Sequence, residues 1–390
     1  MNVVQQGIVS LLKSAILQQK TPLPDGFDLE TAYAQVKRHH MAPLIYEGAA
    51  LCGISRQLPI MQQLLREYCM ALRISEGQMR EIVRIYNAFE EKGIDYMPMK
   101  GSKMKALYPK PELRVMGDAD ILIRMEQYDR IAPIMEKLGF CPGVESDHEL
   151  VWKRKELFLE LHKRVIPSYN KDFYAYFGEG WKLAVKDDGT RYTMLPEDEM
   201  VYLFTHFAKH YRDGGIGCRH VVDLWVFLRK HTNLDEEKVK TELDKIQLRE
   251  FYENIRCLIA AWFEDAVTDE KINFMTDFIF ASGSWGDAET HATSAGVRDD
   301  QRGNGSRARL LYLVHLIFPS VNALRYKYTV LQKAPWMLPL VWLYRPFYKL
   351  LNKQERKTLK VHQRNLQLRS AENIRSRQQA LEYVGLGYRF

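Results

Sequence analysis

Long apolar runs are missing from this 390-residue chain. The charge-free stretch of its apolar C-terminal part, Ala334–Tyr344, has only eleven residues and two prolines, too short to span a bilayer. Cysteine is sparse as well. The five cysteines (Cys52, Cys69, Cys141, Cys218, Cys257) are widely spaced and form no Cys-x-x-Cys pair. That pattern argues against a disulfide framework or a zinc knuckle and for a reducing, cytoplasmic setting. The start lacks a basic segment followed by a long apolar one, and Lys13 interrupts Ile8–Leu17, so no signal peptide is expected. No internal repeat is visible.

What is present is ordinary for a folded globular protein: 46% hydrophobic and 27% charged residues, enough chain for two or three packed lobes. The net charge of +7 is unevenly placed. From Arg345 to Phe390 there are eleven basic residues against three glutamates, or +8, and the remainder, with 45 basic and 46 acidic residues, carries −1. The tail admits three readings: a peripheral contact with an anionic membrane, RNA binding, or a solvated helix packed through Leu350, Leu351, Leu359, Leu366 and Leu368. A near-neutral body argues against nucleic acid as the main partner.

Apolar residues at helical spacing predict helices over 2–19, 29–39, 41–52 and 58–92, the last closed by Gly93. His39-His40 reads as a solvated pair at a helix end. The period then changes. Residues 95–99 and 118–123 read as strands around a helix over 102–108, and 126–138 as a helix. Residues 149–153 and 157–163 read as an antiparallel strand pair. Pro196 opens a further helix with acids in its first turn, and helices are expected over 217–230, 235–246, 249–263 and 269–281. The Gly-, Ser-, Asp- and Asn-rich 282–306 reads as a mobile loop, and helix resumes at 307.

Chemistry concentrates in Lys100–Ile123. Asp118 and Asp120, two apart on a strand, share a face, and burying both is costly unless a cation compensates. Gly101-Ser102, one helix upstream, offers backbone N–H groups and a hydroxyl to phosphate, and together the two elements describe a metal-triphosphate site. Glu160, an acid within Leu157–Leu161, is the candidate third carboxylate, and Lys100 and Arg114 are candidate phosphate contacts. Each has a plainer rival. Asp118 and Asp120 could cap the turn at Gly117, Glu160 could pair with Lys163 or Arg164, and Arg114 could anchor its loop to Asp118 or Glu112. His206 and His210 have metal-ligand spacing, but Phe207 follows the first, so packing or nucleotide contact is favoured over zinc. Arg219 and Asp223, also four apart, read as a helix salt bridge. His162 is either an acceptor-side base or a partner of Glu160.

The order strand, Gly-Ser, helix, Asp-x-Asp strand resembles the nucleotidyltransferase (polymerase β-like) superfamily. Lys100-Gly101-Ser102, Arg114, Gly117–Asp120 and Leu159–His162 resemble, more narrowly, the uncharacterised nucleotidyltransferase family of bacteria. That resemblance continues through Leu195–Asp198, His206, His210, Arg219 and Asp223. It implies an α+β protein with a small mixed-sheet catalytic domain (93–195) between a helical lobe (1–92) and two further helical parts, one over the cleft (196–306) and a basic tail (307–390). The expected activity is Mg²⁺-dependent transfer of a nucleoside monophosphate from an NTP, ATP favoured, to a hydroxyl acceptor, with release of pyrophosphate. Asp118, Asp120 and Glu160 would hold two Mg²⁺ ions, with Mn²⁺ as a substitute. Lys100, Gly101, Ser102, Arg114, His206 and His210 would bind nucleotide. A catalytically silent nucleotide-binding scaffold or sensor is the alternative.

Overall fold

A computed structural model describes residues 1–155, 157–284, 286–300, 305–325, 327–351 and 353–387, without the side chains of 322, 347 and 349–360. Four helices come first: α1 (Val3–Leu17), α2 (Leu29–Arg38), α3 (Ala42–Leu51) and the long α4 (Pro59–Glu91). Asn2 and Gln5 form a reciprocal capping box on α1, and Pro59 sits where a helix start tolerates a missing N–H. Past α4 the chain turns at Gly93, whose φ of 60° suits glycine.

The central part comprises β1 (Tyr96–Pro98), α5 (Lys100–Lys105), β2 (Asp118–Ile123), α6 (Tyr128–Lys137), β3 (Cys141–Glu145), β4 (Glu149–Arg154), β5 (Leu157–His162), α7 (Lys171–Phe177), β6 (Ala184–Asp188) and β7 (Arg191–Met194). The strands form one mixed sheet in the order β3-β4-β5-β2-β1-β7-β6. β2 and β5 run parallel, with Ala119 opposite Leu159, Asp120 opposite Glu160 and Leu122 opposite His162. Alternation sorts the side chains. Ala119, Ile121, Ile123, Leu159 and Leu161 pack with Ile82, Ile85 and Phe89 of α4 and Ile131 and Met135 of α6. The acids therefore share the opposite face. The expected α+β class with a mixed sheet and flanking helices is what the structure shows.

Then follow α8 (Pro196–Asp213), α9 (Cys218–Lys230), α10 (Glu236–Lys245), α11 (Arg249–Phe263) and α12 (Glu270–Ser282). The chain divides into two compact units, Met1–His210 with Ile216–Trp285, and Tyr211–Gly215 with Gly286–Arg389. In the second unit, α13 (Ala288–Asp299) occupies much of the stretch expected to be a loop. Asp287 caps it through the N–H groups of Glu289 and Thr290, so a composition read as loop-like instead supplied a helix start. It packs against α18 (Lys353–Leu368) and α19 (Ala371–Tyr383), and Val297, Ala308 and Ile374 form a small core there. The unit also contains α14 (Ser306–Ile317), α15 (Val321–Leu324), α16 (Val330–Lys333) and α17 (Leu338–Leu351). The side chains of Leu350, Leu351 and Leu359 lie outside the described residues. No described helix is long and apolar enough to cross a membrane.

The expected solvated His39 is instead fully buried. Its Nε2 lies 3.1 Å from the Phe280 carbonyl and its Nδ1 accepts the Cys218 N–H at 3.2 Å, joining the ends of α2 and α12 to the start of α9. Burial pushes its pKa down to about 4, which keeps the ring neutral and able to accept at Nδ1.

Candidate functional site

Asp120 occupies the centre of the carboxylate face and is almost wholly buried. Its Oδ1 is 2.8 Å from the Lys100 ammonium and 2.9 Å from His162 Nε2, and its Oδ2 faces the Gly101 N–H at 3.4 Å. His162 Nε2 also lies 3.4 Å from Glu160 Oε2. The parallel register explains this meeting, because it sets Glu160 directly opposite Asp120 with His162 two residues further along the same face. The ligand atoms of Asp120, Glu160 and His162 all fall within 4.8 Å of one another. Asp118 lines the same pocket. His162 thus belongs to the carboxylate group itself, touching Asp120 as well as Glu160.

Charges in this group are strongly biased. Burial alone would raise the Asp120 pKa, but Lys100 and His162 hold it well below the usual carboxylate range. Burial also acts on Asp118, where the neighbouring Asp120 charge adds to it, and its pKa rises to about 6. Burial opposes the charge on His162, yet the bonds to Asp120 and Glu160 prevail and lift it to about 9. His162 as it stands is therefore an acid rather than a base at neutral pH. Its Nδ1 is buried with no hydrogen-bond partner among the described residues. Two carboxylates and an imidazole so placed, with Asp118 beside them, make a donor set suited to a divalent cation.

The Gly-Ser turn divides. A Cβ on Gly101 would come within 2.7 Å of the Asp118 carbonyl oxygen and 3.3 Å of Asp120 Oδ2, so only glycine lets α5 approach β2 this closely. Gly101 and Lys100 line the pocket. Ser102 does not join them. Its hydroxyl lies 3.1 Å from that of Tyr86, and the residue lines a separate groove with Tyr192 and Thr193. The phosphate role expected of Ser102 is thus not served by where its hydroxyl sits.

Arg114 lines the pocket but is anchored by neither Asp118 nor Glu112. Its guanidinium grips Asp223 with two bonds of 2.8 and 3.0 Å and donates to the Gly101 carbonyl at 3.1 Å. Tyr108 donates to the same carboxylate at 2.7 Å. The salt bridge expected between Arg219 and Asp223 is accordingly replaced by Arg114–Asp223. Arg219, also buried, donates to the Val115 carbonyl at 2.6 Å, and no carboxylate pairs with it among the described residues. Glu160 pairs with neither of its surface rivals, since Lys163 takes Glu145 and Arg164 takes Asp147.

The pocket encloses about 250 Å³ and also presents His148, Glu149, Lys209 and His220 to its interior. His206 and His210 both line it, their Nε2 atoms 3.0 Å apart. Burial and the Lys100 charge push the His206 pKa well down, and burial with Arg219 brings His220 to about 3. A family model described as an uncharacterised nucleotidyltransferase matches residues 25–264, a span that includes every pocket residue named above. The chain belongs to that family. No curated protein and no solved structure matches it.

Membership of the uncharacterised nucleotidyltransferase family supports nucleotidyl transfer as the general activity of the chain. Local sequence pattern does not single out His148, Glu149, Lys209 or His220, which line the pocket, and it pairs Arg219 with Asp223. Glu149 was within reach, since antiparallel pairing of β4 with β5 sets it opposite His162. Its carboxylate holds His148 at 2.9 Å.

Proposed function

We propose that this pocket transfers a nucleoside monophosphate from an NTP, ATP favoured, to a hydroxyl acceptor, a small molecule or a protein side chain. The acceptor oxygen bonds to the α-phosphorus as its bond to the bridging oxygen breaks, and pyrophosphate leaves with that electron pair. One observation carries the reading: Asp120, Glu160 and His162, with Asp118 beside them, converge in a pocket that also holds Arg114, Lys209 and Arg219. Asp118, Asp120, Glu160 and His162 would hold Mg²⁺ or Mn²⁺, with the two aspartates shared by a second ion. Such a cation, when bound, polarises the α-phosphate and lowers the pKa of the acceptor hydroxyl.

The chain's own residues do the positioning. Gly101 lets the backbone reach the carboxylates, and Arg114, locked on Asp223, fixes the Gly101 carbonyl. Arg219, a buried cation without an anionic partner among the described residues, suits the phosphate tail. Lys100 is a second phosphate contact once a cation takes over the charge of Asp120. His206, kept neutral, and His210 supply nucleotide contacts without adding charge.

The test is incubation of the full chain with each α-labelled NTP and Mg²⁺ or Mn²⁺, following label transfer and pyrophosphate. Wild type should turn over and Asp120→Asn should not. Mg-NTP binding by calorimetry with no turnover would favour the sensor alternative. A wild type that neither turns over nor binds any Mg-NTP would remove the reading altogether.

A further inference from the structure

A second cavity, of about 220 Å³, shares Met116 with the first as a wall and lies against α3 and α4. Its lining is mostly apolar, from Ala42, Pro43, Met70, Ala71, Ile74 and Val115. Lys105 is the exception. Its side chain is 1% exposed, and its ammonium donates to the Arg114 carbonyl at 2.8 Å. No carboxylate lies within ion-pair distance of it among the described residues. Glu112 acts on it through charge, but that carboxylate accepts from the Tyr68 hydroxyl at 2.8 Å. One carbonyl uses one of three ammonium donors, and a buried cation without a counter-ion is costly. Burial and the Arg114 charge together press its pKa down to about 8, so it remains mostly protonated at neutral pH.

The other polar groups of the cavity do not supply the missing anion. Glu67 is engaged by Tyr33 and Gln63. Gln78 donates to the Met116 carbonyl at 3.1 Å, and burial and Arg219 push His40 toward its neutral form. We propose that this cavity binds a small monoanion with an apolar body, a short-chain carboxylate being its simplest form, with Lys105 as the counter-charge. The apolar walls take the body and the ammonium takes the head.

The wall between the cavities carries a consequence. Its three successive carbonyls are each held by a buried side chain: Arg114 by Lys105, Val115 by Arg219 and Met116 by Gln78. An anion that draws Lys105 off the Arg114 carbonyl loosens the segment bearing the Arg114 clamp on Gly101. Anion binding therefore weakens nucleotide binding, and by linkage the reverse holds. This coupling rests on the nucleotide reading above, whereas the cavity itself does not.

The experiment is calorimetric titration of the full chain with hexanoate, without nucleotide or metal. Saturable one-to-one binding is expected, with hexanamide at least about tenfold weaker, as loss of one charge-assisted bond implies. Lys105→Met should lose that preference for hexanoate, and Ala71→Trp, which fills the cavity, should abolish binding of both. No saturable hexanoate binding to wild type, or equal binding of hexanamide, overturns the site with no variant needed. Hexanoate binding that leaves the Mg-ATP Kd unchanged overturns the coupling, a failure distinct from an absence of Mg-ATP binding.

Discussion

β2 and β5 carry two opposite environments on the same backbone. On one face Ala119, Ile121, Ile123, Leu159 and Leu161 are at most 1% exposed, packed on α4 and α6. On the other, the carboxylates of Asp118, Asp120 and Glu160 crowd into a pocket with His162 between Asp120 and Glu160. The first face gains stability from burial, and the second gives some of it up. Electrostatic crowding is tolerated because the apolar face holds the strands in register, so each face should fail in its own way. Site-face changes should cost activity and core-face changes should cost stability.

The largest effect should come from Asp120→Asn. Losing a carboxylate that shapes the charge of the whole group should lower the transfer rate about 10³-fold, or about 4 kcal/mol. A rate within tenfold of wild type, with metal present, would break the assignment of that face. Leu159→Ala is the mirror test. Leu159 is fully buried among α4 and β4 side chains, so truncation should cost about 3 kcal/mol in denaturant unfolding. The rate per folded molecule should hold. If Leu159→Ala lost activity without losing stability, the two faces would not be separable.

Asp118→Asn sharpens the contrast, because it should stabilise while it inactivates. The Asp118 carboxyl titrates near 3.8 in an unfolded chain and is raised to about 6 here by burial and Asp120. The folded state therefore binds the extra proton between these values, and stability from this group is lost as pH rises through about 6. Metal-free Asp118→Asn should exceed wild type by on the order of 2 kcal/mol at pH 8, and the gap should close below pH 4. Mg²⁺ should raise the wild-type Tm more than that of the variant. A variant less stable than wild type at pH 8 would show that the aspartate is not strained by its neighbours.

Much of this contrast is legible in the sequence. Two-residue spacing puts Asp118 and Asp120 on one face of β2, apolar spacing predicts α4, and Pro196 with the acids after it predicts the start of α8. What was not legible depended on distance or exposure. β3, with Pro142 and Gly143, and β6 are mostly exposed outer strands that bury no periodic apolar face. Asp223 appears matched to Arg219 by helical spacing, yet it pairs with Arg114, 109 residues away. No local pattern encodes such a partner. His39 was misjudged for the same reason, since the two backbone groups that justify its burial come from residues 218 and 280.

Ser102→Ala should have the smallest effect, and it sets local sequence pattern directly against fold. The Gly-Ser motif assigns this hydroxyl to phosphate, whereas the structure gives it to Tyr86 and a separate groove. Alanine removes one hydrogen bond between two hydroxyls. The cost should be about 1 kcal/mol of stability, with transfer rate and KM for NTP within about threefold of wild type. Tyr86→Phe should reproduce the stability loss, and combining the two should cost less than their sum because the partner is already gone. A hundredfold rise in KM for Ser102→Ala alone, with Tyr86→Phe unaffected, would mean that the serine turns toward nucleotide on binding. The boundary between the charged face and the packed one would then lie one residue further along α5.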